Sequence, residues 1–220
     1  MSVNGKKWIG EQHREAEATK ALSAFDFQTV IKPVLENHFS GRVLTDAIIR
    51  DGRVYETEYG HSQDLWSGRD GHIEICKRGQ HGARYNLSFA YRLQWIKSGS
   101  IPYNSFTVRE WKQANFDGYE TELAKMIDAW SLGYDRPQLI IQAYLMQGTK
   151  DLVTLGIARF DHVAKFLSEK VLTKKEKPGK ESWFRSQVAG ARFIVLPWEY
   201  LQYHGVPVTI LTPSPAKIAV

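Results

Sequence analysis

Three carboxylates, Asp64, Asp70 and Glu74, fall within the 11-residue segment Asp64-Leu65-Trp66-Ser67-Gly68-Arg69-Asp70-Gly71-His72-Ile73-Glu74, interleaved with glycine, where a loop runs into a strand. Mg2+ needs one or two carboxylates held beside a phosphate, with water completing its octahedron. Glycines let the backbone approach closely enough for a loop to supply that geometry. Asp64, Asp70 and Glu74 are therefore the candidate metal ligands. The plainer alternative is a polar turn followed by one edge-strand acid.

Further on, Tyr85 to Trp95 alternates. Tyr85, Leu87, Phe89, Tyr91, Leu93 and Trp95 are apolar, while Asn86, Ser88, Ala90, Arg92 and Gln94 lie between them. This period of two predicts a strand whose Arg92 and Gln94 project on the side opposite the hydrophobic core. A guanidinium fork fits a phosphate, and a side-chain amide orients a water or holds a base edge. Pairing of 71–77 with 85–95 as a hairpin brings Asp70 and Glu74 toward Arg92 and Gln94, and these four are the candidate catalytic residues. An ordinary solvated strand face has the same pattern.

Other chemistries find less support. The chain has no Walker loop, dinucleotide-binding glycine pattern, GxSxG elbow or HExxH motif. His61, His72 and His81 lack a supporting cysteine or a second spaced pair, which argues against zinc. The one cysteine, Cys76, excludes an internal disulfide and reads as a small buried residue. Twenty-nine Lys and Arg against 24 Asp and Glu give a net charge of +5, a balance that favours polyanionic partners without requiring them. Arg69, Lys77, Arg78, Arg109, Lys174 and Lys175 are the candidate nucleic-acid contacts. The last two lie in Lys170–Lys180, a phosphate-contacting loop or simply a solvated one. Seven Trp and ten Tyr serve either as stacking surfaces or as core. No apolar run reaches membrane-spanning length and the N-terminus has no apolar signal region, so the expectation is a cytoplasmic chain outside the membrane.

The elements that must position these residues follow from periodicity. Helical composition covers Glu11 to Phe25, and Asp26 is the expected N-cap of a second segment interrupted by Pro33. Strands are expected at 53–59, 71–77, 85–95 and 105–111. A helix over 118–132 presents Tyr119, Leu123, Met126, Ile127 and Trp130, and Gly133 stops it. Strands at 139–146 and 152–159 turn at Gln147-Gly148, and Asp161 caps the next helix. A strand at 183–196, a short helix from Pro197 to Gly205 and a strand at 206–211 close the sequence. This order predicts an α+β fold with a central mixed β-sheet flanked by helices. The expectation is one domain over 1–220: helical over 1–40, sheet core with the candidate site over 41–160, and C-terminal helix and strands over 161–220.

An acid at the start of one strand, a polar triplet in the next, then a helix and another strand resembles the PD-(D/E)XK nuclease superfamily, from about Phe27 to Leu145. The resemblance implies a restriction-endonuclease-like αβββαβ core. Asp70 matches the lone Asp of its second strand and Arg92-Leu93-Gln94 the (Asp/Glu)-x-Lys triplet of its third. Arg92 stands where the family has a metal-binding acid, and Gln94 where it has lysine. Glu74 or Asp64 then supplies the displaced acid. Glu74-Ile75-Cys76-Lys77 does not restore the motif, because a spacing of three puts acid and lysine on opposite strand faces. Glu120 and Glu122 either join the site or complement a helix dipole. The implied function is a Mg2+-dependent endonuclease hydrolysing phosphodiester bonds. In it Asp70 with Glu74 or Asp64 holds the metal, Gln94 positions water and Arg92 neutralises the scissile phosphate. DNA is the favoured substrate, and a cutter of duplex DNA is often a symmetric homodimer. Two other classes stay open: a nucleic-acid-binding or regulatory protein that keeps this scaffold without cutting, and a protein-interaction module built on exposed aromatics.

Overall fold

The computed structural model describes residues 9–45, 47–50, 53–56, 68–76, 84–102, 104–112, 121–133, 136–179, 182–188 and 190–213. Helix α1 (Ile9–Asp26) continues through a π-helical turn (Phe27–Ile31) into α2 (Lys32–Phe39). Pro33 sits in the first turn of α2, where its missing N–H is tolerated. Strands β1 (Gly41–Thr45), β2 (Ala47–Arg50), β3 (Arg53–Glu56), β4 (Gly71–Cys76), β5 (Arg84–Ile96) and β6 (Ser105–Lys112) follow. After them come α3 (Glu122–Leu132), β7 (Leu139–Met146), β8 (Leu152–Arg159), α4 (Phe160–Phe166) with a π-helical extension (Leu167–Leu172), β9 (Phe184–Val188), β10 (Ala191–Pro197), α5 (Trp198–Tyr203) and β11 (Val208–Leu211).

Six strands form the main sheet in the order β1-β4-β5-β7-β8-β11, antiparallel throughout except for the parallel pair β5 and β7. A parallel pair requires a long crossover, and β6 with α3 lies within it. A second, antiparallel sheet runs β6-β10-β9, and β2 pairs with β3. The fold is thus α+β around a mixed central sheet, as the element order predicts. Among the described residues no helix is long and apolar enough to cross a membrane.

The main sheet is covered on both faces. Phe27, Ile31 and Leu35 of the N-terminal helices bury Val43, Ile73, Phe89 and Ile141 on one side. On the other, Phe106, Val108, Met126, Ile194 and Trp198 form a second core with Tyr144. The side of β5 that carries Arg92 and Gln94, expected to lie opposite the hydrophobic core, therefore faces β6 and α3.

That covering depends on Gly156. It pairs with Gln142 across β7 and β8, and a Cβ there would come within 2.3 Å of the Trp198 indole. Trp198 is fully buried, 5.8 Å from the Phe106 ring and 6.0 Å from Tyr144 between centroids. Its backbone N–H donates to the Asn104 carbonyl at 2.8 Å, and Tyr144 Oη donates to the Ser105 carbonyl at 3.0 Å. These contacts fix β6 over β7.

Several expectations change. Asp26 caps nothing: the helical turns continue past it, and its buried carboxylate accepts from Trp95 Nε1 at 2.7 Å and from Lys150 Nζ at 2.7 Å. Strand β1 follows directly on the α2 terminus, where the sequence reads only as a helix stop. Its Gly41 is needed because a Cβ would meet the Glu74 carbonyl at 2.4 Å. The stretch 183–196 is two strands turning near Gly190, whose φ is 74°. Thr121 caps α3, its hydroxyl accepting from Ala124 N at 3.3 Å, so the helix starts later than periodicity suggests. Asp161 lies inside the first turn of α4 and pairs with Arg159 at 2.7 Å. The arm bearing Trp8 lies outside the described residues. Gly156→Ala should lower stability by about 1–3 kcal/mol through overpacking against Trp198, read as a reduced urea midpoint at unchanged slope.

Candidate functional site

Asp70 stands immediately before β4. The register places Gly71 opposite Phe89, and β5 runs on beyond that pair along β7. Asp70 N donates to the Phe89 carbonyl at 2.9 Å, and Tyr91 N donates to Asp70 Oδ2 at 2.7 Å. Two backbone hydrogen bonds therefore fix the carboxylate beside β5. Gly71 makes this possible, since a Cβ would lie 2.6 Å from the Leu44 carbonyl and 2.8 Å from the Phe89 ring.

Arg92 pairs with Gln142 across β5 and β7. Its guanidinium bonds to Glu122 Oε1, the oxygen that Arg109 Nη2 also reaches at 3.4 Å. Glu122 Oε2 accepts from Arg109 N at 3.1 Å. One carboxylate, on the first residue of α3, thus holds two guanidinium groups together. Both lie over the Phe193 ring, at 5.2 Å for Arg92 and 5.9 Å for Arg109. Gln94 Nε2 donates to Thr107 Oγ1 at 3.5 Å, and Thr107 Oγ1 donates to Gln142 Oε1 at 3.1 Å.

Between these groups lies a cavity of about 140 Å³. Asp70, Arg92, Thr107, Glu122, Lys125 and Gln142 supply its polar lining. Ala90, Val108, Met126, Ile140 and Phe160 supply apolar wall. Gln142 is 1% exposed, and its Nε2 has no hydrogen-bond partner among the described residues.

The structure brings Asp70 and Arg92 to one cavity, with Gln94 linked to it through Thr107. Glu74 is a correction: it pairs with Asn86, four residues along β4 from Asp70, a span of about 13 Å at strand rise. Its carboxylate meets Arg84 at 3.4 Å instead of Arg92. Register separates them, because both residues point to one sheet face but at opposite ends of β4. Asp64, Lys77, Arg78 and Glu120 lie outside the described residues. Arg69 adjoins Asp70, and Arg109 joins through Glu122. Lys174 and Lys175 follow the extension of α4 in a loop anchored elsewhere. There Trp183 Nε1 donates to the Glu176 carbonyl at 3.2 Å and Tyr200 Oη to Glu176 Oε2 at 3.0 Å. Burial, reinforced by that carboxylate, pushes the Tyr200 phenol up to about 12, so it remains a neutral donor.

Of the carboxylates that could hold Mg2+, Asp70 and Glu122 line the cavity and each is engaged by protein donors. Among the described residues no three His, Cys, Asp or Glu side chains gather as a metal-binding group. Glu122 already sits between two guanidinium groups, and a dication added there would face two like charges. Comparisons with protein-family models, with curated proteins and with solved structures found no match.

Sequence reasoning missed Thr107, Lys125, Gln142 and Phe193. Gln142 had a visible signal, the one polar residue in the run Leu139-Ile-Ile-Gln-Ala-Tyr-Leu-Met146. A buried amide inside an apolar strand needs a partner or a purpose. Glu122→Gln should destabilise the fold by about 1–2 kcal/mol, since the lost charged hydrogen bonds are partly exposed. Chemical denaturation at low and high salt measures this, and the loss should shrink at high salt.

Proposed function

We propose that this chain is a nucleic-acid-binding protein on a nuclease-like scaffold, gripping the phosphate backbone with Arg92, Arg109 and Lys125 without metal-dependent cleavage. The carrying observation is the Arg92–Glu122–Arg109 bridge. It stands where the resemblance calls for a metal-binding acid. Glu122 keeps two guanidinium groups adjacent, which suits bidentate recognition of phosphate oxygens. Lys125 follows Glu122 by three residues on α3, hence on the same helix face, and lines the same cavity. Phe193 adds a flat apolar surface beside the cations, a combination suited to stacking bases of a single strand.

The scaffold half of the reading draws support from topology. With β2, β3 and β6 set aside, helices α1 and α2, strands β1, β4 and β5 of the main sheet, helix α3 and strand β7 come in αβββαβ order, with β7 parallel to β5. Asp70 lies at the threshold of the second of these strands and Arg92-Leu93-Gln94 within the third. The net charge of +5 favours encounter with a polyanion, with DNA the preferred candidate.

One observation favours a second reading, the Mg2+-dependent endonuclease: two carboxylates, Asp70 and Glu122, line one cavity beside Lys125. The two readings separate on Glu122→Gln. Glutamine keeps a side-chain acceptor beside the two guanidinium groups, so binding of a fluorescently labelled oligonucleotide should persist, whereas loss of a metal ligand would abolish cleavage. Anisotropy in EDTA should show binding, with Arg92→Gln about five-fold weaker, near the value of one phosphate hydrogen bond. Plasmid and single-stranded DNA should stay intact in Mg2+. Cleavage that Asp70→Ala abolishes would overturn the proposal in favour of the endonuclease.

A further inference from the structure

Strand β6 takes part in two arginine–glutamate–arginine bridges, one on each of its faces. Arg109 joins the bridge that Glu122 makes with Arg92, and the next residue, Glu110, turns to the opposite face. There its carboxylate accepts from Arg185 Nε at 2.9 Å and from Arg192 Nε at 2.8 Å. Strand β10 repeats the alternation: Phe193 lies under the first arginine pair, and Arg192 belongs to the second. The two bridges are thus neighbours, related by consecutive residues on two strands. The second is the more open. The Arg185 and Arg192 side chains keep 43% and 47% of their accessible surface, against 21% and 37% for Arg92 and Arg109.

Arg185 also connects this pair to the lysine-rich loop. Its guanidinium lies 5.0 Å over the Trp183 ring, whose indole N–H donates to the Glu176 carbonyl. Glu176 is the one acid between Lys170 and Lys180, and its carboxylate is engaged on the protein side. It accepts from Tyr200 Oη and lies 3.9 Å from both Lys170 Nζ and His204 Nδ1. Its amide donates to the Lys170 carbonyl at 3.0 Å, and Ser182 Oγ donates to the Lys177 carbonyl at 2.9 Å. Lys174 is fixed at φ 58°, a conformation lysine rarely adopts. The loop is held in one shape, and Lys174, Lys175 and Lys177 remain exposed on it.

We propose that Lys174, Lys175, Lys177, Arg185 and Arg192 form a second phosphate-contacting surface, which takes up the continuation of the single strand gripped at Arg92 and Arg109. This rests on the phosphate-binding reading above and extends it from one site to a track past β6 and β10. The two carboxylates on the track, Glu110 and Glu176, are both bonded to protein donors, so the outward charge is positive. Regularly spaced phosphates suit cations spread along a surface, where a lone carboxylate would engage only one of them. Lysines act as point charges on the backbone, so this surface supplies affinity without choosing a sequence.

The test is anisotropy with the full chain and two labelled oligo-dT strands, of about 4 and about 16 nucleotides, the span of site sizes among single-strand binders. The short strand fills the cavity site alone, and the long one should bind more tightly. Each single-strand phosphate contact contributes about 0.7 of a decade of affinity per decade of salt. Replacing Lys174, Lys175 and Lys177 together by glutamine should therefore weaken the long strand on the order of 100-fold at about 0.1 M salt. The short strand should be unaffected, and replacement by arginine, which keeps the charge, should retain long-strand affinity. If the triple variant fails to fold, Lys175→Gln alone should cost about 5-fold on the long strand. Loss of the long strand with arginine as well as glutamine, no loss with either, or a loss shared equally by the short strand would overturn the second surface. So would unchanged DNA binding beside lost binding to phosphatidylserine vesicles, which would assign the loop to an anionic bilayer. Failure of both strands to bind the unaltered protein at low salt would overturn the phosphate reading itself.

Discussion

The seat of Trp198 over Gly156 is the contact on which the rest of the site depends. A strand with a polar alternate face ordinarily turns that face to water. Here the missing side chain at Gly156 admits an indole, and the indole holds the second sheet against the first through Phe106 and Tyr144. The polar face of β5 becomes a cavity wall. Arg92 and Gln142, neighbours across β5 and β7, then meet Thr107 and Glu122 from elements that come later than β5 in the chain.

Within that enclosure the charges are held in place by protein partners. One carboxylate serves two guanidinium groups, and the other is held by the Tyr91 amide. Two guanidinium groups would repel each other if left alone, and Glu122 makes their proximity tolerable. The same arrangement leaves Glu122 poorly suited to a dication. Arg92, which the resemblance sets in the place of an acid, thus has its partner carboxylate in Glu122 at the start of α3.

Local regularities in the sequence foretold much of this. The alternation over Tyr85 to Trp95 predicts β5 and names Arg92 and Gln94, and the hairpin with 71–77 follows from pattern and turn. Helix α3 and the β7–β8 hairpin are equally legible. The rest depends on long-range pairing. Glu74 and Asp70 share a sheet face, but only register reveals that they stand at opposite ends of β4. Asp26 has the appearance of an N-cap until Trp95 and Lys150 arrive from far along the chain. Glu122 suits a helix start for purely electrostatic reasons, so its service to Arg92 is invisible locally. The covering of the β5 polar face requires knowing where residues 183–198 fold back.

The salt dependence of oligonucleotide binding tests the central claim most directly. Three backbone cations imply that the logarithm of the single-strand binding constant falls linearly with the logarithm of salt concentration, with a slope of roughly −2. Replacing Arg92 with glutamine should make that slope shallower by about 0.7, the contribution of one phosphate contact. A slope near zero, or one unchanged in the Arg92→Gln protein, would contradict the assignment of this site to phosphate.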